Sequence, residues 1–200
     1  MSVKGEFPRT WENMQRMQRK ISVRLEREQH DLPKKVRKLV GRVGTFKALE
    51  AIYEYVDRYF GSASGLVACK QGCANCCHGR VWISQLEADF IADKTGRVAP
   101  KIATIEDQKT FPIRDASHPC TFLGSDRSCT IYSSRPFVCR THLNFEPTNE
   151  LCQFENADRS IPLVDRDKTI PSVMKALTDV IVAHDGGGAD IRRYFGPNHR

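Results

Sequence analysis

The stretch Cys69-Lys-Gln-Gly-Cys73-Ala-Asn-Cys76-Cys77 places four thiols within nine residues, with the spacing C-x3-C-x2-C-C. Thiolates are soft ligands that bind zinc, Cu(I) and iron–sulfur clusters. Cysteines two or three residues apart in a loop can turn several sulfurs toward one metal centre. Gly72 favours such a turn, because glycine accepts positive φ angles. The stretch therefore predicts a metal-binding loop, around which the rest of the chain is arranged.

The remaining cysteines extend this prediction to eight candidate ligands. They are Cys69, Cys73, Cys76, Cys77, Cys120, Cys129, Cys139 and Cys152. In a secreted protein they would indicate disulfides, but Met1–Arg9 lacks the apolar segment of a signal peptide. We therefore expect a cytoplasmic location. Because thiols stay reduced in the cytoplasm, we also expect metal binding rather than structural disulfides.

Length and composition allow one domain of 200 residues, or one domain with a helical extension. No run approaches the roughly 20 apolar residues that a membrane span needs, so no membrane segment is expected. The charge is uneven, because residues 1–44 hold 12 Lys or Arg and 5 Asp or Glu and thus the whole formal net charge of +7. Such an arm suits nucleic acid or an acidic protein partner. An ordinary solvated helix face has the same composition, and this second interpretation is favoured.

Hydrophobic periodicity predicts two helices before the cysteine loop. Over residues 10–30, apolar side chains recur near the 3.6-residue period, and Asp31–Pro33 is expected to break the helix. Thr45 is expected to cap a second helix over about 46–60, which has a broad apolar face. The cysteine loop would then follow directly from a strongly packed helix.

The segment after the loop has clear start and stop signals. Val81–Ile83 is a short apolar run typical of a strand. Ser84 and Glu87 form the S-x-x-E pattern of a capping box at the start of a helix over about 84–94. Gly96 suits the position just after the end of this helix. Two further helical segments are expected near the C-terminus, over about 171–184 and 189–195.

The later cysteines lie in short segments rich in turns. Gly124–Ser128 predicts a turn, across which residues 121–123 can pair with residues 130–132. Residues 97–119 and 141–168 are expected to be irregular. These patterns together predict a mainly α protein.

The predicted architecture is a small helical domain around an irregular cysteine-rich metal-binding centre. Residues 1–60 would form a basic N-terminal helical extension. Residues 61–200 would form the cysteine-cluster domain, with its core signature at 66–155.

Three parts of the sequence resemble the YkgJ-type cysteine-cluster family, also called the CxxCxxCC domain, for which zinc or iron chelation has been proposed. They are the four clustered cysteines, the apolar stretch Val81–Glu87 that leads into a capped helix, and a third segment. That segment combines Pro119–Leu123 with the highly specific pattern C-x-I-Y-x2-R-P-x2-C-R over Cys129–Arg140. The resemblance covers about residues 66–155 and implies a metal. Some similar proteins methylate lysines of flagellin with an iron–sulfur cluster and S-adenosylmethionine, but this chain has no glycine-rich loop for that cofactor.

The cysteine spacing favours iron over zinc. Structural zinc usually takes two C-x2-C pairs, whereas this chain combines one tight group with single distant cysteines, as iron–sulfur proteins do. The expected cofactor is therefore an iron–sulfur cluster or iron, with zinc as the alternative. The spacing C-x3-C-x2-C also occurs in radical S-adenosylmethionine enzymes. That interpretation is discarded, because Asn75 replaces the usual aromatic residue and no βαβ alternation is present.

Two arginines beside the last cysteines have two open interpretations. Arg135 and Arg140 either donate to the sulfurs of a cluster or form surface pairs with carboxylates. No catalytic residue is identified by a nucleophile triad, a phosphate loop or a carboxylate pair.

Two functional hypotheses follow from the sequence. In the first, the chain is a cytoplasmic metal-binding protein that acts in redox chemistry, metal handling or a metal-dependent modification. In the alternative, zinc is structural and the basic arm binds nucleic acid or a protein partner.

Overall fold

The computed structural model describes residues 7–70, 72–106, 117–156 and 163–196. The protein is mainly helical, as predicted, and no described helix is long and apolar enough to cross a membrane. The helices are α1 (Pro8–Lys20), α2 (Val23–Val43), α3 (Thr45–Gly61), α4 (Gln85–Thr95), α5 (Phe137–Thr141), α6 (Arg166–Thr169), α7 (Pro171–His184) and α8 (Ile191–Phe195), and the strands are β1 (Trp82–Ser84) and β2 (Gly188–Asp190).

The chain divides into two compact units. The first unit consists of residues 1–70 and 140–180, and the second unit consists of residues 71–139 and 181–200. The domain boundary predicted at residue 60 remains a prediction. The expectations for the first six residues and for parts of the two irregular segments, 107–116 and 157–162, lie outside the described residues.

Helix α3 forms the centre of the first unit. It begins at Thr45, so Thr45 is not its cap as predicted; Gly44 precedes the helix with a φ of 91°, a conformation that suits glycine. The broad apolar face that the periodicity predicts is buried. Its buried members are Leu49, Ile52, Tyr53, Val56, Tyr59 and Phe60.

Helix α2 packs along α3. The Tyr55 hydroxyl of α3 donates a hydrogen bond to the backbone carbonyl of Leu25 at 3.1 Å. Arg58 of α3 forms an ion pair with Glu28 of α2 at 2.7 Å. These contacts hold α2 against α3 within the first unit.

The predicted helix break at Asp31–Pro33 is wrong, and the break lies earlier. The chain is extended at Ile21, and Ser22 caps α2 by accepting a hydrogen bond from the Leu25 amide at 3.2 Å. Serine is a favoured N-cap because its hydroxyl accepts a hydrogen bond from an otherwise unpaired amide of the first turn. The chain therefore changes direction at Ser22 instead of at the proline.

Pro33 is tolerated inside α2 because its surroundings are buried. A proline in a helix interior removes one backbone hydrogen bond and strains the preceding turn. Pro33, Leu32 and Val36 are all buried, so the packing of this face offsets the local cost. Tertiary packing overrides local helix propensity here.

The second unit contains a two-stranded antiparallel sheet. Trp82 lies opposite Asp190, Ile83 opposite Ala189 and Ser84 opposite Gly188. The strand predicted near Val81–Ile83 is confirmed. Glycine is required at the first residue of β2 and at the residue before it. A Cβ on Gly188 would overlap the Trp82 ring, and a Cβ on Gly187 would overlap the Thr104 backbone.

Helix α4 has the predicted capping box. The Ser84 hydroxyl accepts a hydrogen bond from the Glu87 amide at 3.3 Å, and the Glu87 carboxylate accepts one from the Ser84 amide at 3.1 Å. Gly96 follows the helix in the left-handed conformation, with a φ of 67°. Both ends of the helix are therefore fixed by the residues that the sequence analysis identifies.

The apolar core of the second unit includes cysteine. Its buried members are Val81, Ile83, Ala88, Ile91, Cys120, Phe122, Ile131, Ala189, Ile191 and Tyr194. Cys77, Cys129 and Cys139 pack against this core. The helical turn predicted over 189–195 is confirmed for residues 191–195, which form α8, whereas residues 189 and 190 belong to β2. The Phe195 ring meets the Phe122 ring edge-on at 5.0 Å. Several candidate ligands are therefore part of the core packing.

The packing of α2 can be tested with one substitution at two positions. Val36 is 1% exposed and Val23 is 62% exposed, and both lie in α2. Val36→Ala should lower the free energy of unfolding by about 2 kcal/mol, because it removes buried methyl groups and leaves a cavity. Val23→Ala should change it by less than about 0.5 kcal/mol. Urea denaturation of both variants measures the difference, and equal effects would show that the inner face of α2 contributes no stability.

Candidate metal centre

The central cysteines lie on a short 3-10 turn, Asn75–His78. Gly72 enters this region with a φ of 80°, which confirms the expected role of glycine before the turn. The Cys77 amide donates a hydrogen bond to the Ala74 carbonyl at 2.9 Å and closes the turn. Cys76 is exposed and Cys77 is half-buried. The two adjacent cysteines therefore differ in exposure, and Cys77 packs against the apolar core of the second unit.

The backbone of Cys120 is hydrogen-bonded to this turn, and His118, two residues earlier, is hydrogen-bonded to a buried ion pair. The Cys120 amide donates a hydrogen bond to the Cys77 carbonyl at 2.7 Å. Arg192 donates to the His118 carbonyl at 2.8 Å and pairs with Asp190 at 2.7 Å. Both charged residues are buried. A buried pair whose remaining groups are hydrogen-bonded fixes position well, because breaking it would leave an uncompensated charge.

Cys129 follows the predicted turn. The Gly124 amide donates to the Ser128 carbonyl at 2.7 Å, and the Asp126 carboxylate accepts a hydrogen bond from the Ser128 amide at 2.9 Å. Leu123 and Cys129 form an isolated antiparallel bridge. The predicted strand pairing across this turn is therefore present, but as a single bridge rather than a pair of strands.

Glu87 connects the helix that carries Cys139 to the start of α4. One oxygen of this buried carboxylate accepts hydrogen bonds from the amide and the hydroxyl of Ser84, both at 3.1 Å. The other oxygen accepts a hydrogen bond from the Phe137 amide at 2.9 Å. Phe137 is the first residue of α5, which carries Cys139. One side chain therefore serves as the capping residue of α4 and as the anchor of α5.

The two adjacent cysteines are hydrogen-bonded to each other through their side chains. A hydrogen bond from the Cys77 thiol lowers the pKa of Cys76, and the positive charge of Arg135 lowers it further. The same hydrogen bond raises the pKa of Cys77, and burial adds to this rise. The pair therefore favours a thiolate on Cys76 and a proton on Cys77.

The deeper cysteines favour the neutral thiol. Burial is the main reason that the pKa of Cys120 rises to about 12, with the charges of Cys129 and Asp190 adding to the shift. Burial also raises the pKa of Cys139, and the neighbouring thiols act in the same direction. Electrostatic interactions thus connect five thiols through some of their pairs: Cys76, Cys77, Cys120, Cys129 and Cys139.

The two arginines take different places. The charge of Arg135 acts on both Cys76 and Cys139, and its guanidinium lies 4.0 Å from the centre of the Tyr132 ring. Arg140 is buried, forms an ion pair with Asp57 and stacks over a tyrosine ring of α3. Arg135 therefore lies close to the cysteine sulfurs, as the first interpretation of these arginines expects. Arg140 instead pairs with a carboxylate, as the second interpretation expects.

The remaining candidate ligands are placed separately. Cys73 is half-buried in the second unit, just before the 3-10 turn. Cys69 and Cys152 belong to the first unit, where each sulfur accepts a hydrogen bond from Asn144 at 3.4 Å. None of the eight cysteines forms a disulfide in this structure. Within the described residues, no three His, Cys, Asp or Glu side chains are arranged so that they could hold a metal ion as they stand.

A comparison with protein families identifies the cysteine-rich segment. Residues 68–157 match the CxxCxxCC family model, which is described as a "putative zinc- or iron-chelating domain". This segment is similar to the CxxCxxCC domain. No curated protein and no solved structure matches the chain. The CxxCxxCC match confirms the resemblance seen in the sequence and supports metal binding, with zinc and iron both within the family description.

Contacts made by three positioning groups are not predicted from the sequence. The capping box identifies Glu87, but its bond to Phe137 joins residues that are far apart in the chain and leave no local pattern. The Asp190–Arg192 pair has a local signal, since Asp190 caps α8, yet its contact with His118 has none. Asn144 lies in an irregular segment in which a single asparagine predicts nothing.

The anchoring role of Glu87 can be tested with an isosteric change. Glu87→Gln must turn its amide NH2 toward either the Phe137 amide or the Ser84 amide, so two donors would face each other. We expect a loss of about 1–3 kcal/mol in the free energy of unfolding, the usual cost of an unsatisfied buried group. Cys139 should also react faster with an alkylating reagent. Asp93→Asn, on the exposed side of α4, is the matched control. Equal behaviour of the two variants would show that Glu87 does not anchor α5.

Proposed function

We propose that this chain is a cytoplasmic metal-binding protein whose cysteines hold an iron–sulfur cluster or iron, with zinc as the alternative cofactor. The proposed ligands in the second unit are Cys73, Cys76, Cys77, Cys120, Cys129 and Cys139, and the proposed ligands in the first unit are Cys69 and Cys152. The observation that carries the proposal is the grouping of four thiols in and around the apolar core of the second unit, with a fifth, Cys76, hydrogen-bonded to one of them. The family description, which names zinc or iron chelation, supports the metal-binding part of this proposal.

The charge of the thiols explains why a metal suits this group. Deprotonating several of them together would place like charges in an apolar environment, which is costly. A bound cation removes this cost, because metal binding displaces the protons and neutralises the sulfurs. Arg135 contributes a fixed positive charge toward Cys76 and Cys139. The surroundings therefore favour a filled site over a set of free thiolates.

The donor set fits soft metals, although the thiols do not form a ready-made cage. Sulfur ligands suit zinc and iron–sulfur clusters and leave magnesium or calcium without the oxygen ligands they prefer. Cys76 and Cys77 are hydrogen-bonded to each other, so filling the site would exchange this bond for metal–sulfur bonds. When bound, iron would supply electron transfer and zinc a fixed structural charge.

The preference for iron rests on the ligand pattern. A tight group at Cys73, Cys76 and Cys77 is combined with single cysteines from three later segments, which differs from the paired knuckles of structural zinc sites. Cys76 is an exposed residue, so a redox partner or substrate can approach it. We therefore propose a role in redox chemistry, metal handling or a metal-dependent modification reaction.

The ligand assignment predicts the metal content of three variants. Cys76→Ser and Cys139→Ser should each lose most of the bound metal, because a serine hydroxyl is a poor substitute for a soft thiolate. His78→Ala, in the same 3-10 turn as Cys76, should keep it. The measurement is metal and acid-labile sulfide per chain after anaerobic purification. Iron with sulfide supports the proposal, stoichiometric zinc supports the alternative cofactor, and full metal content in both serine variants would contradict the ligand assignment.

A second candidate function rests on the outer face of α2. Six exposed basic residues on this helix have no ion-pair partner among the described residues: Arg27, Lys34, Lys35, Arg37, Lys38 and Arg42. By helix geometry Lys34, Lys38 and Arg42 share a face about 12 Å long, opposite the buried Leu32 and Val36. In this alternative, zinc is structural and the face binds the phosphates of nucleic acid.

The second candidate predicts binding that depends on these charges and on salt. The triple variant K34E/K38E/R42E should lose binding to a duplex DNA or RNA probe, and wild-type affinity should fall steeply with salt as counterions are released. The triple variant K94E/K168E/K175E changes the net charge equally and should keep the affinity. Fluorescence anisotropy at several salt concentrations measures both. Equal binding by the two variants, or no binding by the wild type, would remove this candidate.

A further inference from the structure

Asn144 contacts two cysteine sulfurs at once. Its backbone N–H donates to Cys69 Sγ at 3.4 Å, and its side-chain Nδ2 donates to Cys152 Sγ at 3.4 Å. Asn144 is 1% exposed, and both cysteines are half-buried. All three residues belong to the first unit. One buried residue thus directs two donors at two candidate ligands that are 83 positions apart in the sequence.

The hydrogen-bond network fixes which end of the Asn144 amide faces the sulfur. The Glu146 amide N–H can only donate, so the atom that it meets at 2.9 Å must be the Asn144 oxygen. The other end of the side chain is therefore the NH2 group, which also donates to the Thr148 carbonyl at 3.1 Å. The Ala68 amide holds the Asn144 backbone by donating to its carbonyl at 2.9 Å. Neither donor can turn away from its sulfur without breaking these bonds.

Two converging N–H donors suit sulfurs that carry negative charge. A thiol is a weak acceptor, whereas hydrogen bonds to an ionised acceptor are roughly twice as strong as neutral ones. Sulfurs bound to a metal keep this charge, and N–H bonds to them are a common means of orienting and tuning metal ligands. The two N–H donors of Asn144 therefore suit sulfurs that carry the negative charge of a metal ligand.

We propose that Asn144 is a positioning residue that presents Cys69 and Cys152 as two ligands of a thiophilic metal ion, such as iron or zinc. This inference rests on the proposed function and adds a residue that ligand spacing alone does not identify. It also predicts an asymmetry, because substitution of the side chain removes the donor to Cys152 and leaves the backbone donor to Cys69 in place.

The test follows each cysteine separately in the full-length chain. Metal-free protein is reconstituted with Zn(II), and in a second series with Fe(II) under anaerobic conditions. Peptide mass spectrometry then gives the alkylation rate of each cysteine with and without metal. In the wild type, metal should protect Cys69 and Cys152 as well as Cys76 and Cys139. Protection of the last two alone would overturn the role of Asn144 and leave the proposed function intact, whereas protection of none would contradict the proposed function itself.

The variants test the asymmetry. In Asn144→Ala and Asn144→Asp, metal protection of Cys152 should fall at least about tenfold, as expected when a residue that holds a metal ligand is removed. Cys69 should change less than Cys152, and Cys139 should stay protected. Asn13→Ala is the matched control, since the Asn13 side chain donates at 2.9 Å to the carbonyl of Phe145, next to Asn144.

A merely structural role for Asn144 would give a different result. Equal loss at Cys69, Cys152 and Cys139, together with a lowered melting temperature, would overturn the proposal. Unchanged protection of Cys152 in both variants would overturn it as well. The wild-type measurement does not depend on the folding of any variant, so the proposal stays testable if the substitutions destabilise the chain.

Discussion

The burial of several thiols around one apolar core is the constraint on which the second unit depends. Cys120 lies within the core that contains Phe122 and Ile131, and Cys77 and Cys139 pack against it. A protonated thiol behaves as a small apolar side chain, but a thiolate in the same place needs a compensating charge. The same sulfurs can therefore complete the core while neutral and serve as ligands when a cation balances them. Packing and metal binding are then two uses of one group of atoms.

Two buried charged groups hold the backbone segments that carry these sulfurs. Glu87 joins the start of α4 to the start of α5, and the Asp190–Arg192 pair joins the start of α8 to the segment before Cys120. Each group uses its oxygens or nitrogens in several hydrogen bonds, and such fully connected networks give a buried site a single conformation. The ligand segments themselves are short and poor in regular structure, so their positions depend on these few polar contacts.

Local signals in the sequence predict much of this arrangement. The capping box at Ser84 and Glu87, the glycine after α4, and the limits of α7 follow from residues within one or two helical turns of each other. The course of α2 through Pro33 is missed because buried neighbours decide it, not the proline. The partner of β1 is missed because β2 lies more than a hundred residues later. Asn144 is missed for the same reason, since its role depends on where two distant cysteines meet.

The most direct test of the central claim is hydrogen exchange across residues 72–106 and 117–139 before and after removal of the metal. The amide of Cys120 is the reporter, because it donates to the Cys77 carbonyl at 2.7 Å and joins two ligand segments. If a metal compensates the buried thiols, its removal should strongly reduce protection of this amide, while amides of α3 in the first unit keep theirs. Identical exchange at Cys120 in the two states would contradict the account.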